Sequence, residues 1–151
     1  MKNGLYIVAT PIGNLGDMSP RAAETLKAAG IIACEDTRVT KKLFSLLGIG
    51  LNKTFVTLHD HNEEAQSQKI IDFIKNGEVV AQVSDAGSPL ISDPGFKLIR
   101  RCREEGLYVT TLPGCCALIC ALQLSGLPTN RFMFAGFIPN REKARQDLFR
   151  R

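Results

Sequence analysis

No stretch of this 151-residue chain approaches the roughly 20 consecutive apolar residues that a membrane-spanning helix requires. Its N-terminus, "MKNGLYIVAT", has one lysine and a five-residue apolar run from Leu5 to Ala9. That falls short of the about 7–15 residues of a secretory signal core. The expected location is therefore cytoplasmic, with no membrane partner. A repeated CxxC pair is also missing. The five cysteines, at 34, 102, 115, 116 and 120, are odd in number and irregular in spacing, which argues against both a zinc site and a disulfide framework. No metal is expected. Three of them lie in "CCALICAL", where cysteine reads as a small buried hydrophobe. Neither GxxxxGK[ST] nor a GxGxxG after the first apolar run is present, which disfavours a nucleoside triphosphate or a dinucleotide as ligand.

What is present is an ordinary globular composition, 44% hydrophobic and 23% charged, with a net charge of +4. The charge is unevenly spread. Residues 1–112 carry 13 Lys/Arg and 13 Asp/Glu, whereas residues 113–151 carry 6 and 2, so the whole excess lies in the last quarter. Most of it is in "NREKARQDLFRR". Such a segment attracts a phosphate backbone, or is the solvated face of one amphipathic helix.

Short apolar runs alternate with helical patterns along the chain. Strands are expected at 5–9, 31–34, 54–58, 78–83 and 107–112. Between them, Ser19 and Pro20 open a helix that Gly30 stops, with Ala22, Ala23, Leu26 and Ala29 on one face. "TRVTKKLFSLLG" places Val39, Leu43, Leu46 and Leu47 on one stripe and ends at Gly48. Asn62 caps the third helix, Asp93 caps the fourth, and Phe96, Leu98 and Ile99 form the apolar side of that fourth helix. Five strand–helix alternations with short connections predict an α/β fold, an open five-stranded parallel sheet with right-handed crossovers. Two domains are expected, residues 1–112 and the beginning of a second α/β domain at 113–151. In the latter, "CCALICALQLSG" reads as a helix buried on several sides and "RFMFAGF" (131–137) as a strand. Its Phe132, Phe134 and Phe137 are assigned to the core rather than to base stacking. The pattern breaks off inside an amphipathic helix, as a second domain cut short would.

In an open α/β sheet, ligands bind at the carboxyl edge of the strands. The five segments that follow the strands are "TPIGNLGDMS", "EDTR", "HDHNE", "SDAGSPLISDPG" and "PGCC". The opposite connections, "AAGII", "GIGLNK", "KNGE" and "EEGL", are plain glycine turns. This asymmetry marks one edge as a site. Glycines and prolines in "SDAGSPLISDPG" make a stiff loop with backbone amides on offer, suited to gripping an adenosine.

That twelve-residue segment resembles the signature of the small-subunit ribosomal RNA methyltransferase I family, within the tetrapyrrole methylase superfamily. "ATPIGNLGDMSPRA", "CEDTR", "LHDHNE", "LPGCCA" and "GLPTNRFMFAGFIP" resemble the same family's motifs, in order and over almost the whole chain. The resemblance implies S-adenosyl-L-methionine as cofactor, held between two α/β domains. It implies 2′-O-methylation of a cytidine ribose in small-subunit rRNA, the rRNA or the small subunit being the partner. Relatives of this kind pair through the second domain, so a homodimer of the full-length protein is an open expectation. By the same resemblance, Pro11 lines the floor of the cofactor site after the first strand. Gly87, Ser88, Leu90 and Ile91 match the stretch that wraps the cofactor, with a serine where many relatives carry an acid. Cys116 and Ala117 match the small residues near the adenosine. About half of the relatives' length has no counterpart here.

Methyl transfer to a hydroxyl is an in-line displacement, aided by a positioned base or hydrogen-bond acceptor. The candidates are Glu35, Asp36, His59 and His61. Both histidines of the chain stand in one loop at the predicted ligand edge, either as acid–base groups or as turn formers. Glu35, Asp36 and Arg38 orient a ribose or a phosphate, or pair among themselves; a guanidinium suits bidentate phosphate contact. Asp85 has two readings, an Asx turn that holds the loop or a bond to the cofactor. Two other functions remain open: a porphyrinoid methylase with the same cofactor loops, and a non-catalytic nucleotide-binding module.

Overall fold

The structure, a computed structural model, describes residues 1–91 and 95–150. The expected Asp93 cap lies outside them. Five strands, β1 (Gly4–Val8), β2 (Ile31–Cys34), β3 (Thr54–Thr57), β4 (Val79–Gln82) and β5 (Val109–Leu112), form one sheet in the order β3-β2-β4-β1-β5. Every pairing is parallel. The α-helices among the described residues are α1 (Pro20–Ala28), α2 (Thr37–Leu47), α3 (Glu63–Lys75), α4 (Phe96–Glu104), α5 (Ala117–Leu124) and α6 (Glu142–Phe149). The chain separates into two compact units, Met1–Ala117 and Leu118–Arg151, and the sheet belongs to the first.

Because successive strand residues face opposite sides, the sheet has two cores. Tyr6, Val8, Ile32, Cys34 and Ala81 meet α1 and α2 on one face; Leu5, Ile31, Ala33, Val56 and Val80 meet α3 and α4 on the other. The sorting of helices follows from the strand order. The chain runs outward from β1 to β2 to β3, then turns back to β4 and β5. With a single hand of crossover, that reversal sends α3 and α4 to the face opposite α1 and α2.

The five expected sheet strands are present: β2 has its expected bounds, β1 is shifted one residue toward the N-terminus, and β3, β4 and β5 are shorter than expected. Strand β5 starts two residues late because α4 uses Leu107: its amide bonds the Cys102 carbonyl while that of Gly106 bonds Arg103. The same pair of bonds closes α2 at Gly48–Ile49 and α3 at Gly77–Glu78. At all three the glycine has positive φ, so these amino-edge glycines serve helix termination.

Several expectations about packing need correction. On α2 the buried residues are Thr40 and Phe44, whereas Val39 and Leu46 face solvent and Leu43 and Leu47 are half-buried. The helix is turned by one residue so that Phe44, its bulkiest side chain, enters the core beside Phe55. On α4, Leu98 and Cys102 are buried and Ile99 is half-buried, but Phe96 is exposed beneath the Arg100 guanidinium. Asn62 precedes α3 without capping it. Its side chain turns back, accepting from the His59 amide and donating to the Thr57 carbonyl. Residues 131–137 form no strand, since among the described residues no segment pairs with them and an unpaired strand leaves its amides unbonded. Phe132, Phe134 and Phe137 are exposed, not core. Helix α5 carries no buried residue, because no element among the described residues covers it on several sides. Consequently Cys120 is exposed and Cys115 and Cys116 are half-buried, while the deeply buried cysteines are Cys34 and Cys102.

Burial pushes the Cys102 thiol up to about 11 and that of Cys34 in the same direction. A thiol reagent at about pH 8 should modify Cys120 rapidly and reach Cys34 and Cys102 only on unfolding, read by peptide mass mapping. A raised native pKa also means stability that is complete below the unfolded thiol value of about 8.5 and lost as pH rises toward 11. The Cys102→Ala variant should show a shallower loss of stability over that window in denaturant titrations.

Candidate functional site at the carboxyl edge

Strand β4 lies between β1 and β2, yet its following loop runs to α4 on one face while theirs run to α1 and α2 on the other. Connections that diverge from adjacent strands open a crevice at the strand ends, where ligands of such sheets bind. The divergence is bridged by specific bonds. Thr10 and Gly87 exchange two backbone hydrogen bonds, of 3.0 and 3.1 Å, which tie the loop after β1 to the loop after β4. Ser88 Oγ donates to the Cys115 carbonyl at 2.8 Å, adding the loop after β5. The Asp36 amide donates to Asp85 Oδ1 at 3.2 Å, adding the loop after β2. Ser84 Oγ donates to the carbonyls of Ala86 and Gly87, stiffening the turn from inside.

Gly87 is buried with φ 80°, a region that side-chain-bearing residues avoid. A Cβ there would come to 3.2 Å from Ile12 Cγ2 and 3.7 Å from the Cys115 carbonyl, filling the space where three loops meet. Leu90 has φ 76°, the one non-glycine residue with positive φ among those described. Backbone of this kind costs about 1–3 kcal/mol and collects at ligand clamps. Beneath the loop, Cys34, Glu35, Leu58, Gln82, Ser84 and Pro89 surround a seam with no room for a water molecule.

The structure gathers most of the expected residues at this edge. Pro11 follows the Thr10 bridge and is half-buried; Ser88 and Leu90 are half-buried and Ile91 is exposed. Cys116 is half-buried, and Ala117 begins α5 in an exposed position. Asp85 is exposed and engaged with the Asp36 amide, so it holds neighbouring loops together instead of closing an Asx turn on Gly87, whose amide bonds Thr10. Glu35 is half-buried among the residues around that seam. Asp36 caps α2 by accepting from the Arg38 amide, and the Arg38 side chain returns on the same carboxylate at 3.1 and 3.3 Å. The hydrogen-bonded Arg38 guanidinium holds the Asp36 carboxyl below the usual range. Arg38 itself is 91% exposed. His59 and His61 are both exposed, their rings 6.1 Å apart and inclined at 62°.

Sequence reasoning passed over Glu63, a buried carboxylate whose Oε1 accepts from the amides of Gly95 (2.7 Å) and Lys97 (3.2 Å). An acid in the first turn of a helix ordinarily reads as solvated dipole compensation, and nothing in the spacing says that it serves a different helix. The Thr10–Gly87 pairing was equally invisible, being backbone only.

Known proteins agree with this geometry. The profile of the family described as tetrapyrrole (corrin/porphyrin) methylases matches residues 4–150. The "Ribosomal RNA small subunit methyltransferase I" of Haemophilus influenzae is 53% identical over 143 residues, covering 95% of this chain and 50% of that protein. The protein of the same name from Escherichia coli O157:H7 is 49% identical over 146 residues, 97% of this chain and 50% of that one. The chain thus spans about half the length of the curated relatives it matches. Among solved structures, a uroporphyrin-III-C-methyltransferase from Thermus thermophilus superposes with a TM-score of 0.63 at 22% identity, over 85% of this chain and 55% of that one. A cobalt precorrin-4 methyltransferase gives 0.62 at 18%, over 79% and 48%. At such identities they share the fold alone.

The Asp36–Arg38 pair has a testable sign. In Arg38→Gln, a carboxyl NMR titration should show the Asp36 pKa rising toward the ordinary carboxylate value of about 3.9. A depressed native pKa gives stabilisation that is present above the unfolded value and lost as pH falls through the native one. The variant should therefore be less stable than the parent near neutrality, and the difference should vanish as pH falls through the native Asp36 value.

Proposed function

Since the chain belongs to the tetrapyrrole methylase family, we propose that it is the cofactor-binding part of an S-adenosylmethionine-dependent methyltransferase acting on the 2′-hydroxyl of a cytidine ribose in small-subunit rRNA. Residues 1–112 supply cofactor and substrate loops in this reading, and 113–151 begin a second α/β domain. The observation that carries it is the junction at Gly87, where the loops after β1, β4 and β5 meet so closely that an added Cβ would press on Ile12. Backbone held this closely suits a ligand gripped through amides and carbonyls, as the adenosine end of this cofactor requires. Gly87, Ser88, Leu90 and Ile91 would hold it from the β4 loop, Pro11 from below, and Cys116 and Ala117 from the β5 side. When bound, the cofactor supplies a sulfonium-activated methyl group.

The chain's own residues then have three tasks. The rigid junction fixes the donor position, so alignment with the hydroxyl contributes much of the rate. A neighbouring group takes the hydroxyl proton, and Glu35, Asp36, His59 and His61 are the groups within these loops. Arg38 can exchange its exposed pair with Asp36 for an RNA phosphate, which leaves the Asp36 carboxylate less encumbered. Exposed Arg131, Arg141, Lys143, Arg145 and Arg150 in the second unit add positive charge of the sign that a phosphate backbone attracts. Identity near 50% with proteins named for ribosomal RNA supports this acceptor over a porphyrinoid.

Calorimetric titration with S-adenosylmethionine and S-adenosylhomocysteine should give saturable one-to-one binding, and Gly87→Val should abolish it. Incubation with methyl-labelled cofactor and small-subunit rRNA should place label on a cytidine whose 3′ linkage resists alkali, as 2′-O-methylation dictates. Label on a base, or binding unaffected by Gly87→Val, would sink the reading.

A further inference from the structure

Glu63 is 3% exposed, and its carboxylate serves a helix other than its own. It opens α3, but Oε1 accepts from the Gly95 amide at 2.7 Å and the Lys97 amide at 3.2 Å, at the N-terminus of α4. Gly95, the residue that precedes α4, has no side chain with which to cap it, and Glu63 meets its amides from a distance. Gly95 is wedged in place: a Cβ there would collide with the Gln82 amide and approach Leu90 Cδ2 at 3.1 Å. Through Gly95, Glu63 therefore bears on the strained Leu90 of the β4 loop. The far end of that loop is already fixed, by Thr10 at Gly87 and by Cys115 at Ser88.

On its other side Glu63 adjoins the histidine loop. The Asn62 side chain ties the His59 amide to the Thr57 carbonyl, Gln66 Nε2 donates to the same carbonyl, and Ser67 Oγ donates to the Glu63 carbonyl. The turn carrying His59 and His61 and the first turn of α3 are thus one hydrogen-bonded unit. A charge-assisted bond from this unit to α4 connects it to the β4 loop, which comes from a different strand.

We propose that Glu63 is a positioning residue, a strut that fixes the β4 loop at Leu90 relative to the histidine loop at 59–61. It sets ligand affinity at the β4 loop without touching ligand. The affinity clause rests on the methyltransferase reading above; the strut itself does not. Removing the carboxylate from two buried amides frees both loops, whereas a plain helix cap would disturb α4 alone.

Two measurements on the chain separate these cases. In ligand-free NMR spectra, Glu63→Gln should shift the amides of Gly87, Ser88 and Leu90 and the imidazole signals of His59 and His61 together, with β5 amides unmoved. Shifts confined to Gly95–Ile99 would overturn the strut. In calorimetry with S-adenosylhomocysteine, Glu63→Gln should bind about tenfold more weakly than the parent, the loss of one charged buried hydrogen bond. Glu63→Asp, which keeps the charge on a shorter arm, should recover part of that. Parent binding with an unchanged affinity in Glu63→Gln overturns the affinity clause. No binding by the parent counts against the methyltransferase reading, and the NMR result then decides the strut by itself. Should Glu63→Ala fail to fold, the Gln and Asp variants still carry the test.

Discussion

Everything at the ligand edge depends on β4 being inserted between β1 and β2. A sheet laid down in sequence order would send successive loops to one face and leave no crevice. Here β4 arrives last among the central three and carries its loop away from its neighbours. The backbone pair between Thr10 and Gly87 spans the resulting gap. It draws no energy from side chains, and it places two loops of opposite destination within hydrogen-bond reach. Ser88 and Asp85 then extend the junction to the loops after β5 and β2.

The two cores supply the rigidity that such a junction requires. Each face of the sheet buries a continuous set of aliphatic residues under a pair of helices, and each of those helices ends or begins in a bonded turn. The glycines divide by edge. Gly48, Gly77 and Gly106 terminate helices at the amino edge, whereas Gly87 and Gly95 make room for close approach at the carboxyl edge. The same residue type therefore answers two different needs, and position in the sheet decides which.

Much of this was legible beforehand. Strand and helix order and the parallel sheet follow from apolar periodicity, and the gathering of polar loops at the carboxyl edge from where those loops fall, which are local signals. Rotational setting was less legible: α2 offers Leu43 and Phe44 side by side, and only tertiary fit selects Phe44. Residues 131–137 alternate like a strand, but a strand exists only by its partner, which periodicity cannot supply. At the site, the loops and their glycines could be read directly. The identity of Asp85's partner and the service of Glu63 to α4 could not, because both bonds join segments far apart in sequence.

The strand order also bears on how the chain is made. Leu5 pairs with Val80 on one side and Val109 on the other, so β1 leaves the ribosome with both of its neighbours still to come. Strands β2 and β3 can pair early, but β1 stays an unsatisfied, wholly apolar segment until β4 has been synthesised. Contacts so distant in sequence form slowly and leave sticky surface exposed meanwhile. The nascent chain is therefore most vulnerable to aggregation before residue 82 has emerged, and the arrival of β4 completes the centre of the sheet and the floor of the ligand crevice in one step.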